Sequence, residues 1–142
     1  MNLRAGLFLL GLGLVSLQGC DQGFGDHPAL GGKWYLWSID STEIHSRSIP
    51  LIFDGASHVT GSERCNDFSG TYFATPKIIR FKGFELTTMG CIDSLYPEID
   101  SRILMGLFAA RTWSVRGSFL SLKDDNGSLK LLYGRNEPSP GF

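Results

Sequence analysis

Chemistry in this 142-residue chain could come first from its cysteines and histidines, Cys20, Cys65 and Cys91 with His27, His45 and His58. A thiolate beside an imidazole is the arrangement of a cysteine hydrolase, and only His58 lies near a cysteine outside spacer-like or loop-like sequence. His58, Cys65 and Cys91 could also ligate zinc, but no close C-x-x-C or H-E-x-x-H spacing groups them. The chain has neither a G-x-S-x-G elbow nor a nucleotide-binding glycine motif. Asp124-Asp125-Asn126-Gly127 lacks the later acids of a calcium loop and reads as a hairpin turn. Trp34, Trp37 and Trp113 could line a sugar platform, although aromatic residues in strands more often fill a core. The expectation is a non-catalytic protein with no cofactor and no metal.

Cys20 has a different chemistry because of what precedes it. Met1 to Arg4 give a positive start, Leu7 to Leu17 an apolar run, and Leu17-Gln18-Gly19-Cys20 follows. This is the layout of a secretory signal peptide. A membrane span needs roughly 20 apolar residues, well beyond this run. A cysteine directly after a small residue resembles the lipobox of bacterial lipoproteins, which implies that Cys20 is acylated and becomes the first mature residue. Stable attachment then rests on several acyl chains, and the remainder is a tethered, water-facing module.

Composition bounds that module. There are 13 Lys and Arg against 14 Asp and Glu, and the leader removes only Arg4 of these. A slightly acidic chain lacks the basic stripe that nucleic acid requires. The mature part is long enough for one modest core and hardly for two. With Cys20 committed to lipid, Cys65 and Cys91 remain, and an exported compartment permits their disulfide. Such a bridge would stabilise the fold by about 3.5 kcal/mol on the chain-entropy model. Buried free thiols and a metal or catalytic role are the alternatives.

These residues need elements to position them. Asp21 to Gly32 reads as a flexible spacer. Strands are expected at Lys33 to Ile39, Ile49 to Phe53 and His58 to Gly61, with Asp40 to Ser48 as a polar loop. An aromatic strand follows Cys65 and runs to Phe73, and two short strands, Lys77 to Phe81 and Phe84 to Thr87, flank Gly83. Thr112 to Arg116, Phe119 to Lys123 and Leu129 to Tyr133 form a meander through Gly117-Ser118 and Asp125-Asn126-Gly127.

Leu95, Ile99, Ile103 and Leu107, with Leu104 and Phe108 alongside, have helical spacing. They predict one amphipathic helix from Ser94 to Ala109, opened by Pro97 and carrying a Glu98 to Arg102 pair. Gly106 weakens it by about 1 kcal/mol relative to alanine, so a close packing contact is expected there. The fold class is α+β: a strongly curved antiparallel sheet or partly open barrel with the helix packed on its concave face.

Cys65-Asn66-Asp67-Phe68-Ser69-Gly70-Thr71-Tyr72, followed by Leu86-Thr87-Thr88-Met89-Gly90-Cys91, resembles the paired signature of the META domain, the family of HslJ-like lipoproteins. Leu30, Gly32 and Trp34 are similar to its opening strand, Pro50 to Phe53 to its second, and Leu120-Ser121-Leu122 to a late one. Arg64 stands where members often have glycine, and Gly90 where they often have alanine. The plan is then a leader over 1–19, acylated Cys20 and spacer over 20–32, a META-like domain over 33–135 and a disordered tail over 136–142.

The signature residues Asn66, Phe68, Ser69, Gly70, Tyr72, Thr87 and Met89 read mainly as scaffold. The resemblance implies an envelope protein linked to stress and antibiotic tolerance, with the membrane as one partner and another envelope component as a second. It points to the outer membrane facing the periplasm, whereas Asp21 after the acylated cysteine resembles an inner-membrane retention signal. A small-ligand binder using the sheet interior and an inhibitor or accessory subunit of an envelope enzyme are the other readings.

Overall fold

The structure, a computed structural model, describes residues 27–45, 48–87 and 97–139. The strands in chain order are β1 (Gly32–Ile39), β2 (Thr42–Glu43), β3 (Pro50–Phe53), β4 (His58–Ser62), β5 (Asp67–Ala74), β6 (Ile79–Leu86), β7 (Thr112–Arg116), β8 (Phe119–Lys123) and β9 (Leu129–Gly134). One helix, α1 (Pro97–Ala109), lies between β6 and β7.

Every pairing is antiparallel, in the order β6-β5-β4-β3-β1-β9-β8-β7, with β2 on the end of β1. The sheet curls until its edges touch at an isolated bridge between Ile78 and Thr112. The Ile79 N–H donates to the Arg111 carbonyl at 3.0 Å beside it. The result is the expected α+β architecture, an open, strongly curved sheet with one helix packed on it.

Alternation along the strands explains the core. Trp34 and Leu36 of β1, Leu51 and Phe53 of β3, Tyr72 of β5 and Leu120 and Leu122 of β8 all turn inward and are buried. A register shift between Leu36 and Ser38 breaks this alternation, so that the consecutive residues Ser38 and Ile39 are both buried. Ile103 and Leu107 of α1, with Ala110 just after it, complete the interior. Gly106 has the close contact expected of it: a Cβ there would come within 2.9 Å of Leu131 Cγ.

Several local readings change in three dimensions. The two short strands expected around Gly83 are one strand, because Gly83 at φ +66° forms a bulge that the ladder crosses. Within the loop expected over Asp40 to Ser48, Thr42–Glu43 pairs with β1 as a short strand. Arg102 bonds Asp40 at 3.1 Å across the fold rather than Glu98 along the helix. Lys130 reaches the same carboxylate at 3.3 Å. Leu30, inside the stretch expected to be spacer, is fully buried. Its carbonyl accepts the Trp34 indole N–H at 2.7 Å, and the Arg135 guanidinium lies 3.6 Å over the Trp34 ring. In the tail, the Asn136 carbonyl accepts the Trp37 indole N–H at 2.9 Å. Leu95, Met89 and Cys91 lie outside the described residues, as do the leader and Cys20.

Candidate functional site

The signature strand β5 divides by alternation into two faces with different duties. Phe68 and Tyr72 point inward and are only 3% exposed. The Phe68 ring meets Phe84 edge-on at 5.3 Å, and Tyr72 meets Phe53 edge-on at 4.8 Å. The packing leaves no room for side chains at two glycines. A Cβ on Gly70 would stand 2.6 Å from Phe84, and one on Gly61 would stand 2.3 Å from the Phe68 ring. These inward signature residues are scaffold, as their types suggest.

The outward residues of the same strand do something else. Asp67 and Ser69 join Pro50 and Ile52 of β3, Thr60 and Ser62 of β4, and Glu85 and Thr87 at the end of β6 around a groove of about 520 Å³. Its apolar wall is Pro50, Ile52 and Leu86 with Phe68 at its floor, and its polar wall is hydroxyls and carboxylates. The Ser62 hydroxyl donates to the Asp67 carboxylate. Thr87 closes the end: its N–H donates to the Asp67 carbonyl at 2.9 Å, while its hydroxyl accepts the Asp67 N–H at 3.0 Å. Asp67 and Thr87 thereby lock the two signature segments together beside the groove.

The turn between β4 and β5 seats this region on α1. The Glu63 N–H donates to the Asn66 carbonyl at 2.8 Å, and the Arg64 N–H donates to Asp100 at 3.1 Å. Glu63 is 5% exposed. Burial first, and the neighbouring Asp100 charge second, push its carboxyl up to about 7, against an opposing hydrogen bond from Asn66. Cys65, in the same turn, is disulfide-bonded, and its partner lies outside the described residues. Sequence reasoning did not single out Glu63, and of the outward wall it named Ser69 and Thr87 only as signature residues read mainly as scaffold; the alternation of β4 and β5 carried the signal for the wall.

The other chemical candidates do not converge. His58 bonds Asp54 at 3.3 Å on the β3–β4 turn, at the far end of β4 from Cys65. The ring of His27 packs on Trp113 at 4.8 Å, and His45 pairs with Glu43 at 3.3 Å. Asp124 spends one carboxylate oxygen on the Asn126 and Ser128 N–H groups, at 3.0 and 2.9 Å, so this segment is the hairpin turn expected of it. Trp34 is fully buried and Trp113 is 7% exposed, which makes both core rather than platform. Among the described residues no three His, Cys, Asp or Glu side chains are grouped to hold a metal ion.

A family model for the META domain matches residues 28–136. The chain belongs to the META domain family. The match begins at Pro28, next to His27, the first described residue. A DUF4847 family protein from Bacteroides vulgatus has a similar fold, with TM-score 0.60 and 12% identity over 79% of this chain and 97% of that one. A protein from Burkholderia xenovorans, determined by NMR, has TM-score 0.56 and 23% identity over 79% of this chain and 90% of its own. A second NMR structure has TM-score 0.57 and 21% identity, covering 74% and 89% respectively. At these identities the likeness concerns the fold alone. No curated protein matches the chain by sequence.

Proposed function

We propose that this META domain is exported, anchored through acylated Cys20, and works without catalysis by holding another component of the cell envelope, so contributing to stress or antibiotic tolerance. The groove over the signature carries the reading. Its hydroxyls and the Asp67 and Glu85 carboxylates are acceptors that suit an extended segment bearing amines or hydroxyls, and Pro50, Ile52 and Leu86 offer the apolar strip such a segment needs. Because Trp34, Tyr133, Phe53 and Leu36 fill the interior of the sheet, the outer groove is the better place for a partner than a cavity inside.

The test is photocrosslinking in intact cells from a reactive side chain at Thr60. A reproducible adduct should form with wild-type protein and vanish with Ser69→Arg, which blocks the groove from an exposed position. An adduct that persists with Ser69→Arg would sink the groove as the binding site. Acylation has its own readout: mass spectrometry should find a lipidated Cys20 at the mature N-terminus, and Cys20→Ala should release the protein from membranes. Fractionation of Asp21→Ser beside wild type tells inner from outer membrane.

A further inference from the structure

The outward face of the β5–β6 ribbon changes character away from the groove. Beyond Glu85 the exposed residues of β6 become Lys82 and Arg80, and the preceding turn adds Lys77 and Ile78. The C-terminal end of α1 adjoins them. The Arg80 guanidinium donates to the Arg111 carbonyl at 2.9 Å, and the Arg111 guanidinium donates to the Phe108 carbonyl at 2.7 Å. Ile78 is 42% exposed, Phe108 50% and Met105, one turn earlier, 67%. Among the described residues, none of Lys77, Arg80, Lys82 or Arg111 is ion-paired with a carboxylate. Asp124, just after β8, is committed to its own turn and to Lys130 at 3.5 Å.

The chain enters the domain beside this face and is held there. His27 packs on Trp113, whose backbone N–H donates to the Lys77 carbonyl at 3.2 Å and whose indole donates to the Thr75 carbonyl at 2.7 Å. Arg135 donates to the Gly31 carbonyl at 2.8 Å, and Leu30 is fully buried, so the entry point cannot swing. From Cys20 to His27 the backbone spans at most about 25 Å even when fully extended. An anchor at Cys20 therefore holds whatever surface it is embedded in within reach of Lys77 and Ile78.

We infer that the face formed by Lys77, Ile78, Arg80, Lys82, Phe108 and Arg111 rests on the surface of an anionic lipid bilayer. This rests on the acylation of Cys20 proposed above. Unpaired cations over a surface carrying scattered apolar side chains match the headgroup region, where each Lys or Arg adds about fivefold to partitioning onto anionic lipid. Contact at this end directs the groove, at the other end of the same two strands, away from the bilayer.

The test uses the full acylated chain in vesicles of phosphatidylcholine with about one quarter phosphatidylglycerol, with a benzophenone side chain at Phe108. The control carries it at Glu98, about 15 Å away along α1. Position 108 should crosslink to lipid and position 98 should not. Lys77→Glu, Arg80→Glu and Lys82→Glu together should leave the protein on the vesicles through its acyl chains, yet cut the lipid adduct at 108 at least about tenfold. Equal lipid crosslinking from both positions, a yield indifferent to charge reversal, or adducts from 108 to protein instead of lipid would each overturn the inference while leaving acylation intact. Finding Cys20 unmodified by mass spectrometry would overturn the inference together with the reading beneath it.

Discussion

The inner and outer faces of β5 are one residue apart in sequence and differ in almost everything else. Phe68, Gly70 and Tyr72 are fitted to rings from β3 and β6, so their identities are set by packing. Asp67 and Ser69 meet solvent and a groove. A signature motif on a strand thus mixes two kinds of constraint with period two. Reading it as scaffold alone accounts for every second residue.

The sharpest way to break this division is to compare neighbours. Phe68→Ala should lower unfolding free energy by about 3–5 kcal/mol, whereas Ser69→Ala should change it by no more than about 0.5 kcal/mol. Denaturant titration of both reads the contrast, and equal losses would erase it. Next comes the disulfide of Cys65, in the turn between β4 and β5. If Cys20 is acylated as proposed, Cys91 is the remaining partner for Cys65, and unreduced protein should then give their peptides joined. Cys65→Ala should cost about 2–5 kcal/mol; two free thiols in freshly isolated envelope would refute the pairing.

Gly70→Ala tests the inner face more gently, since the new methyl must displace Phe84. Overpacking of this kind costs about 1–3 kcal/mol, and Thr71→Ala on the same strand serves as the mild reference. The smallest effect concerns pH. Glu63 binds its proton more tightly in the fold, with a pKa of about 7 against an ordinary 4.5. The folded state therefore gains on protonation, and stability falls as pH rises from about 5 to 8. The melting temperature should drop across that window, and Glu63→Gln should flatten the profile. Asp40, Asp54 and Asp124 are held below the usual carboxylate range, so their contributions are lost only at lower pH.

Much of the fold was legible because it is written locally. The Gly117-Ser118 and Asp124 to Gly127 turns announce the β7–β9 meander, and the hairpins form there as expected. Helical spacing located α1, and Ile103 and Leu107 are its fully buried stripe. Phe108 was placed alongside that stripe but stands half-exposed against Phe84, because the helix covers only part of the sheet's opening. Gly83 looked like a strand break, since a glycine pattern does not distinguish a turn from a bulge. Arg102 looked like a partner for Glu98, but Asp40 from the β1–β2 turn takes it.

The candidate site was harder to see for a related reason. Alternation marks which side chains face out, and the cysteine motifs mark a family, both from neighbours in sequence. A groove needs Pro50, Thr60, Ser69 and Glu85 on one surface, and three antiparallel pairings decide that. The raised Glu63 carboxyl likewise depends on its burial in the folded turn first and on the Asp100 charge from the first turn of α1 second. The amino-acid sequence by itself determined the period of each element, the turns and the inward residues, because these depend on local geometry and on hydrophobicity. Only the tertiary structure decided which outward residues share a surface, because sheet order and curvature join positions separated by tens of residues.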